Sequence, residues 1–280
     1  MKSTHTTVFV KLGGSFITDK TVADSLNGAR IATAARAIRK AMDTASRQGR
    51  PIRLVLGHGA GSYGHIIAKK YAAVAGIHPK HGWQALYEIR ESMTHMNQLF
   101  VGHCNRGGLY PVTVSPFAVA GAKDGVVRRL DINSIQALLE QGQVPVLHGD
   151  VILDSKRGFT IASTEALLEA LSRRIHFDRI VMVSDTEGVL GHDHKTIPTI
   201  SRSNIKELFG AIKGSHAPDV TGGMRKKVEK LFALLSAGRA DSARILRCSK
   251  DGKNLSQAVL GTGGGGTLIA GCPNSAAPGK

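Results

Sequence analysis

Ile52-Arg53-Leu54-Val55-Leu56 runs directly into Gly57-His58-Gly59-Ala60-Gly61-Ser62-Tyr63-Gly64-His65. The apolar run has the length and composition of a buried strand, and Ile66 to Tyr71 behind the glycines reads as a helix. A glycine-rich turn between strand and helix is a place where backbone N–H groups converge on an anion. Four glycines and an alanine let the chain approach a ligand with no side chains in the way. Two histidines flank the turn, and His65 falls at the helix start. A tight crossover without a ligand would look the same in isolation, so the decision rests on the rest of the chain.

Upstream, Val8-Phe9-Val10-Lys11-Leu12 reads as the first strand, broken by Gly13-Gly14-Ser15. Lys11 interrupts an otherwise buried-looking strand, where an unpaired ammonium is costly. Between the two strands, residues 24–47 carry Ala29, Ile31, Ala35, Ile38 and Met42 at helical spacing. Residues 81–104 repeat that pattern through Trp83, Leu86, Ile89, Met93, Met96, Leu99 and Phe100, a stripe that suits either core packing or the wall of an apolar pocket.

Further on, strands are expected at 111–114, 144–147, 179–183, 243–246 and 267–269, with a hairpin-like piece over 151–161. Helices are expected at 131–141, 165–174 (capped by Ser163), 203–212 and 224–237. Gly261 to Gly266 reads as a mobile loop and the residues from Pro273 as a frayed tail. Strands and helices alternate, which points to an α/β fold with a largely parallel sheet. Ligands of such sheets sit at the carboxyl ends of strands. The turns at Gly13, Gly57 and Gly149 each follow an expected strand.

The totals are those of an ordinary soluble protein: 280 residues, 42% of them hydrophobic. No apolar run approaches the roughly 18 residues of a membrane span, and the N-terminus lacks the apolar region of a secretory signal. Cys104, Cys248 and Cys272 are odd in number and far apart, as expected of free thiols in a reducing compartment. The net charge of +16 favours anionic partners. Nucleic acid is not expected as the main one: basic residues are scattered, and aromatics make up only 5%. The histidines, His192 and His194 included, form no convincing metal set.

Four elements are expected to face one site: Lys11 with Gly13-Gly14-Ser15 and Lys20; the loop from Gly57 to His65; Ser184-Asp185-Thr186-Glu187-Gly188; and Asp219-Val220-Thr221-Gly222-Gly223-Met224 with Lys227. Lysines beside glycine turns suit phosphoryl transfer, which needs positioning and charge neutralisation above all. Walker A is absent, and GxGxxG is matched only formally, by Gly59, Gly61 and Gly64. A nucleotide would be held in another way.

Together these motifs resemble the isopentenyl phosphate kinases of the amino acid kinase superfamily, with fosfomycin kinases as cousins. His58 to His65 is similar to that family's HG(A/G)GSFGH, with tyrosine for phenylalanine. Phe16-Ile17-Thr18-Asp19-Lys20 is similar to its VITDK, and Asp219 to Met224 to its DVTGGM. The resemblance implies a three-layer αβα sandwich forming one domain over 1–280. Its acceptor-binding part would be about 1–175 and its nucleotide-binding part about 176–271, followed by a tail.

The same resemblance implies transfer of the ATP γ-phosphate to the phosphate of isopentenyl phosphate, with Mg2+, in a cytoplasmic homodimer away from membranes. Lys11, Lys20 and His65 would be catalytic. Gly59, Ala60, His65 and Thr164 would bind the acceptor. Lys11, Gly13, Gly14, Ser15, Gly61, Asp185, Gly223 and Lys227 would bind ATP, and Glu165 would organise the lysines. The family has Ser-Gly-Asp where this chain has Ser163-Thr164-Glu165, so Thr164 is expected to put a side chain where glycine lets the acceptor approach. That departure keeps another acceptor open (a different phosphate, phosphonate, carbamate or carboxylate), and a non-catalytic basic binding protein is a further alternative.

Overall fold

The computed structural model describes residues 4–19, 22, 25–64, 71, 82–191, 193–205, 208 and 223–271. Its centre is β1 (Thr6–Leu12), every residue of which is buried. Parallel strands flank it on both sides: β2 (Ile52–His58), in register from Thr6↔Ile52 to Leu12↔His58, and β9 (Phe177–Ser184). A strand paired on both edges and covered on both faces needs the nearly continuous apolar sequence seen here.

The eight-stranded sheet has the order β10-β12-β11-β9-β1-β2-β6-β3, with β3 at Pro111–Thr113 and β6 at Val144–His148. On its other side lie β10 (Thr199–Ile200), β11 (Ala240–Arg247) and β12 (Thr267–Ala270). Only the β11–β12 pairing within it is antiparallel.

Side chains alternate across β1. Val8, Val10 and Leu12 enter the core beneath α2 (Gly28–Arg47) and α8 (Lys253–Leu260), whereas Phe9 enters the opposite core. Lys11 shares the parity of Phe9. It therefore points to the face that carries α6 (Thr164–Leu171) and α7 (Arg225–Ser236). Helix α3 (Gly82–Arg106) packs on α2 and supplies Met96, Phe100 and Cys104 to the first core. These are the three layers expected.

A smaller sheet, β5-β4-β7-β8, stands beside the large one. The hairpin expected over 151–161 is real, as β7 (Asp150–Asp154) and β8 (Gly158–Ala162). Six elements were not foreseen: α1 (Gly14–Ile17), α4 (Pro116–Val119), β4 (Ala120–Lys123), β5 (Val126–Leu130), β10 and α8. Helix α5 (Asn133–Glu140) completes the described elements.

Two residues leave the expected apolar stripe of α3. Trp83 is 79% exposed and Leu99 lies on the solvent side. Most of the helix expected at 203–212, along with Lys20, His65, His192, Asp219 to Gly222 and Cys272, lies outside the described residues.

Candidate active site

The register of the central strands lines up their carboxyl ends, Leu12 beside His58 and His58 beside His148. The turns that leave them therefore open on one side, around a cavity of about 490 Å3. All four expected elements reach it: the first through Lys11, Gly13, Gly14 and Ser15, the second through Gly59, Ala60 and Gly61. The third contributes Asp185 and its neighbours, and the fourth Gly223 and Lys227.

The two glycine turns lie backbone to backbone. A Cβ on Gly14 would stand 2.6 Å from the amide nitrogen of Gly61, and one on Gly59 would stand 2.6 Å from that of Gly14. No side chain fits there, so glycine is required by close approach. Gly61 also has φ +51°, and the space its Cβ would take is filled by Thr18. Thr18 staples the turns together: its Oγ1 donates to the Gly14 carbonyl (2.8 Å) and accepts the Ser62 N–H (3.1 Å). The second turn is anchored to β1 by the Gly59 N–H, which donates to the Leu12 carbonyl at 3.0 Å. Helix begins at 61–64 directly after it.

Lys11 is 7% exposed and pairs with Glu165 at the first turn of α6. Burial alone would push the Glu165 carboxyl up. The Lys11 ammonium, with Lys227 adding in the same direction, more than offsets this and holds it below the usual carboxylate range. The cavity wall thus carries Lys11, its partner Glu165 and a second lysine, Lys227. On the other flank, Ser15 donates to Asp185 Oδ1 at 2.8 Å and Ser184 donates to the same oxygen at 3.2 Å. Lysine point charge beside bare amides at a strand end is an arrangement that holds phosphate.

Part of the cavity wall is apolar, with Ile89 and Met93 of α3 and Ile161 of β8. The stripe read from α3 therefore divides: Ile89 and Met93 border the cavity while Phe100 packs in the core. A pair that sequence reasoning missed stands next to this wall. Arg90 Nη1 donates to Asp150 Oδ2 at 2.8 Å and its guanidinium lies 4.3 Å from the centre of the Phe117 ring. Asp150 follows the Gly149 turn, and that position was the only sequence signal for it.

Thr164 borders the cavity, but its side chain does not stand in it as expected. The residue is 2% exposed. Its hydroxyl donates to the His58 carbonyl at 2.6 Å, and its Cγ2 sits 2.8 Å from where a Gly57 Cβ would be. The space a glycine would have left at 164 is used up against β2.

A sequence model of the amino acid kinase family matches residues 6–247. The isopentenyl phosphate kinase of Haloferax volcanii is 35% identical over 229 residues, covering 81% of this chain and 88% of that one. That of Methanocaldococcus jannaschii is 31% identical over 227 residues, covering 79% and 85%. An X-ray structure of isopentenyl phosphate kinase superposes with a TM-score of 0.75 at 26% identity, over 94% of this chain and 100% of that one.

Proposed function

The chain belongs to the amino acid kinase family, and from that premise we propose that it transfers the γ-phosphate of ATP to the phosphate of isopentenyl phosphate. The observation that carries this reading is the mixed lining of the cavity: glycine backbone and lysines together with the apolar Ile89, Met93 and Ile161. A short apolar tail with a phosphate head matches both kinds of wall. The similarity to curated isopentenyl phosphate kinases supports the same acceptor.

The acceptor is already an anion, so no general base is required. One of its phosphate oxygens forms a bond to the γ-phosphorus. The bond from that phosphorus to the β,γ-bridging oxygen breaks, and ADP leaves with the electron pair. The barrier is repulsion between two anions held in line.

Lys11, held in place by Glu165, neutralises charge on the transferring group, and Lys227 takes the β and γ oxygens. Gly13, Gly14, Ser15 and Gly61 pass the nucleotide phosphates across bare backbone, with Asp185 and Gly223 on the nucleotide side. The Ala60 amide receives the acceptor phosphate, and Gly59, whose own N–H is taken by the Leu12 carbonyl, leaves it room to approach. Lys20 and His65 complete the catalytic set by resemblance to the family motifs.

Mg2+ would supply further charge neutralisation. Among the described residues no three His, Cys, Asp or Glu side chains gather as a metal cage.

The acceptor half is about 1–175 and the nucleotide half about 176–271. The same reading carries a cytoplasmic homodimer. Cys104 and Cys248 as free thiols are consistent with a reducing compartment. No helix of the described residues is long and apolar enough to cross a membrane.

ADP release from ATP and Mg2+ across a panel of acceptors tests the proposal. Isopentenyl phosphate should give the highest kcat/KM, and His65→Ala should abolish turnover. Preferential turnover of a carboxylate or carbamate would overturn the acceptor. Absence of turnover with salt-sensitive nucleic-acid binding would overturn the enzyme.

A further inference from the structure

We infer that Thr164 is a positioning residue that aims the acceptor-binding amide of the glycine turn; this rests on the function proposed above. Thr164 and His58 lie 106 positions apart and are joined by the buried 2.6 Å hydrogen bond from the threonine hydroxyl to the histidine carbonyl. The other edge of that same peptide, the Gly59 N–H, donates to the Leu12 carbonyl at 3.0 Å. One peptide plane is thus held from opposite sides by α6 and by β1.

The next plane is fixed as well. The His58 ring is fully buried, stacks on His148 with centroids 5.3 Å apart, and has Nδ1 3.1 Å from the Gly59 carbonyl oxygen. Burial keeps this imidazole neutral. In a trans peptide C=O and N–H point in opposite directions. With the Gly59 carbonyl turned to the ring, the Ala60 N–H turns away from it, to the cavity that Ala60 lines. Thr164 is also the residue before Glu165, the partner of Lys11. One hydroxyl therefore couples the lysine side of the phosphate cradle to its amide side. The Thr164 methyl fills the notch that Gly57 leaves empty, so the side chain fits its place with both of its branches.

Thr164→Val keeps the branched shape and removes the hydroxyl, Thr164→Ser keeps the hydroxyl, and Thr164→Ala removes both. The expected result is a fall in kcat of at least tenfold for Val and Ala, with the KM for ATP and acceptor within about twofold, and most of the turnover restored in Ser. In parallel, hydrogen exchange of peptides spanning 57–64 should quicken in Val and Ala and not in Ser. A Val variant with wild-type kcat and exchange, or a Ser variant as impaired as Ala, overturns the proposal. If Val fails to fold, the Ser and Ala pair decides. If the wild type turns over no acceptor, the proposed function fails, and the exchange comparison alone decides the role of Thr164.

Discussion

Lys11 and Glu165 meet as an ion pair across 154 positions of sequence. Neither is at home alone. Lys11 sits in a strand buried along its whole length, and Glu165 lies in the first turn of a helix on the face to which Lys11 points. The pair places a positive charge at the carboxyl end of β1, where the glycine turns begin.

Glu165→Gln keeps the shape and removes the charge that holds the lysine. Leaving a mostly buried ammonium without its counter-ion costs about 3 kcal/mol of stability. Lysine misplacement should lower kcat by roughly 10- to 100-fold, equivalent to about 1.4–2.7 kcal/mol of transition-state stabilisation. Urea titration and steady-state kinetics read the two effects separately. Wild-type kcat in a folded E165Q enzyme would remove the organising role.

Gly14→Ala and Gly59→Ala force a methyl to within 2.6 Å of a backbone nitrogen in the facing turn. Overpacking of this kind costs about 1–3 kcal/mol, and the turns must part to relieve it. Turnover should fall at least 100-fold, about 2.7 kcal/mol, because amide placement is what the turns supply. Gly102 of α3 is the control: nothing lies within 4 Å of its Cβ position. Gly102→Ala should gain about 0.5–1 kcal/mol from helix propensity. Thermal melts and ADP release check all three.

Stability should fall toward acid. Burial drives the His58 pKa down to about 3, with His148 adding to the effect, and drives His148 down to about 4. The unfolded chain binds protons at these groups below about pH 6.5, and the folded chain refuses them until much lower pH. Each histidine therefore removes up to about 1.4 kcal/mol of stability per unit as pH drops through that window.

Asp150 acts in the opposite sense. Burial raises its pKa to about 7, Arg90 and the Val151 N–H only partly opposing. Its contribution is full below about pH 3.9 and is lost as pH rises toward 7. Among these three buried groups, two against one leave a net loss of roughly 1.4 kcal/mol per unit on acidification between about pH 6.5 and 4.5. Asp150→Asn removes the opposing group and should steepen the loss to roughly 2.8 kcal/mol per unit. Urea midpoints across that range measure both slopes. A flat profile in the wild type, or a shallower one in the variant, contradicts the assignment.

Much of this site was legible because its chemistry is local. Gly13-Gly14-Ser15 and Gly57 to Gly64 announce themselves by glycine spacing, and Lys11 by interrupting an apolar run. Long-range facts were less accessible. That Thr164 turns back onto β2 depends on which face α6 covers, which no local pattern encodes. The Arg90–Asp150 pair joins α3 to β7 and has no spacing signature.

Some of the fold did carry a signal that was missed. Asp124-Gly125 joins β4 to β5 with both residues at positive φ, 54° and 78°, and an Asp-Gly step between short apolar segments is a hairpin mark. Helix α8 shows Leu255, Ala258 and Val259 at helical spacing, hidden by its length of only eight residues.

The central claim is that this cavity holds two oxyanions in line so that phosphorus passes between them. Phosphorus NMR of a reaction containing the protein, ATP, Mg2+ and isopentenyl phosphate tests it most directly. The account predicts that the acceptor's single resonance gives way to the coupled pair of a new diphosphate, one for each ADP formed. ADP accumulating beside free phosphate, with the acceptor resonance unchanged, would contradict it.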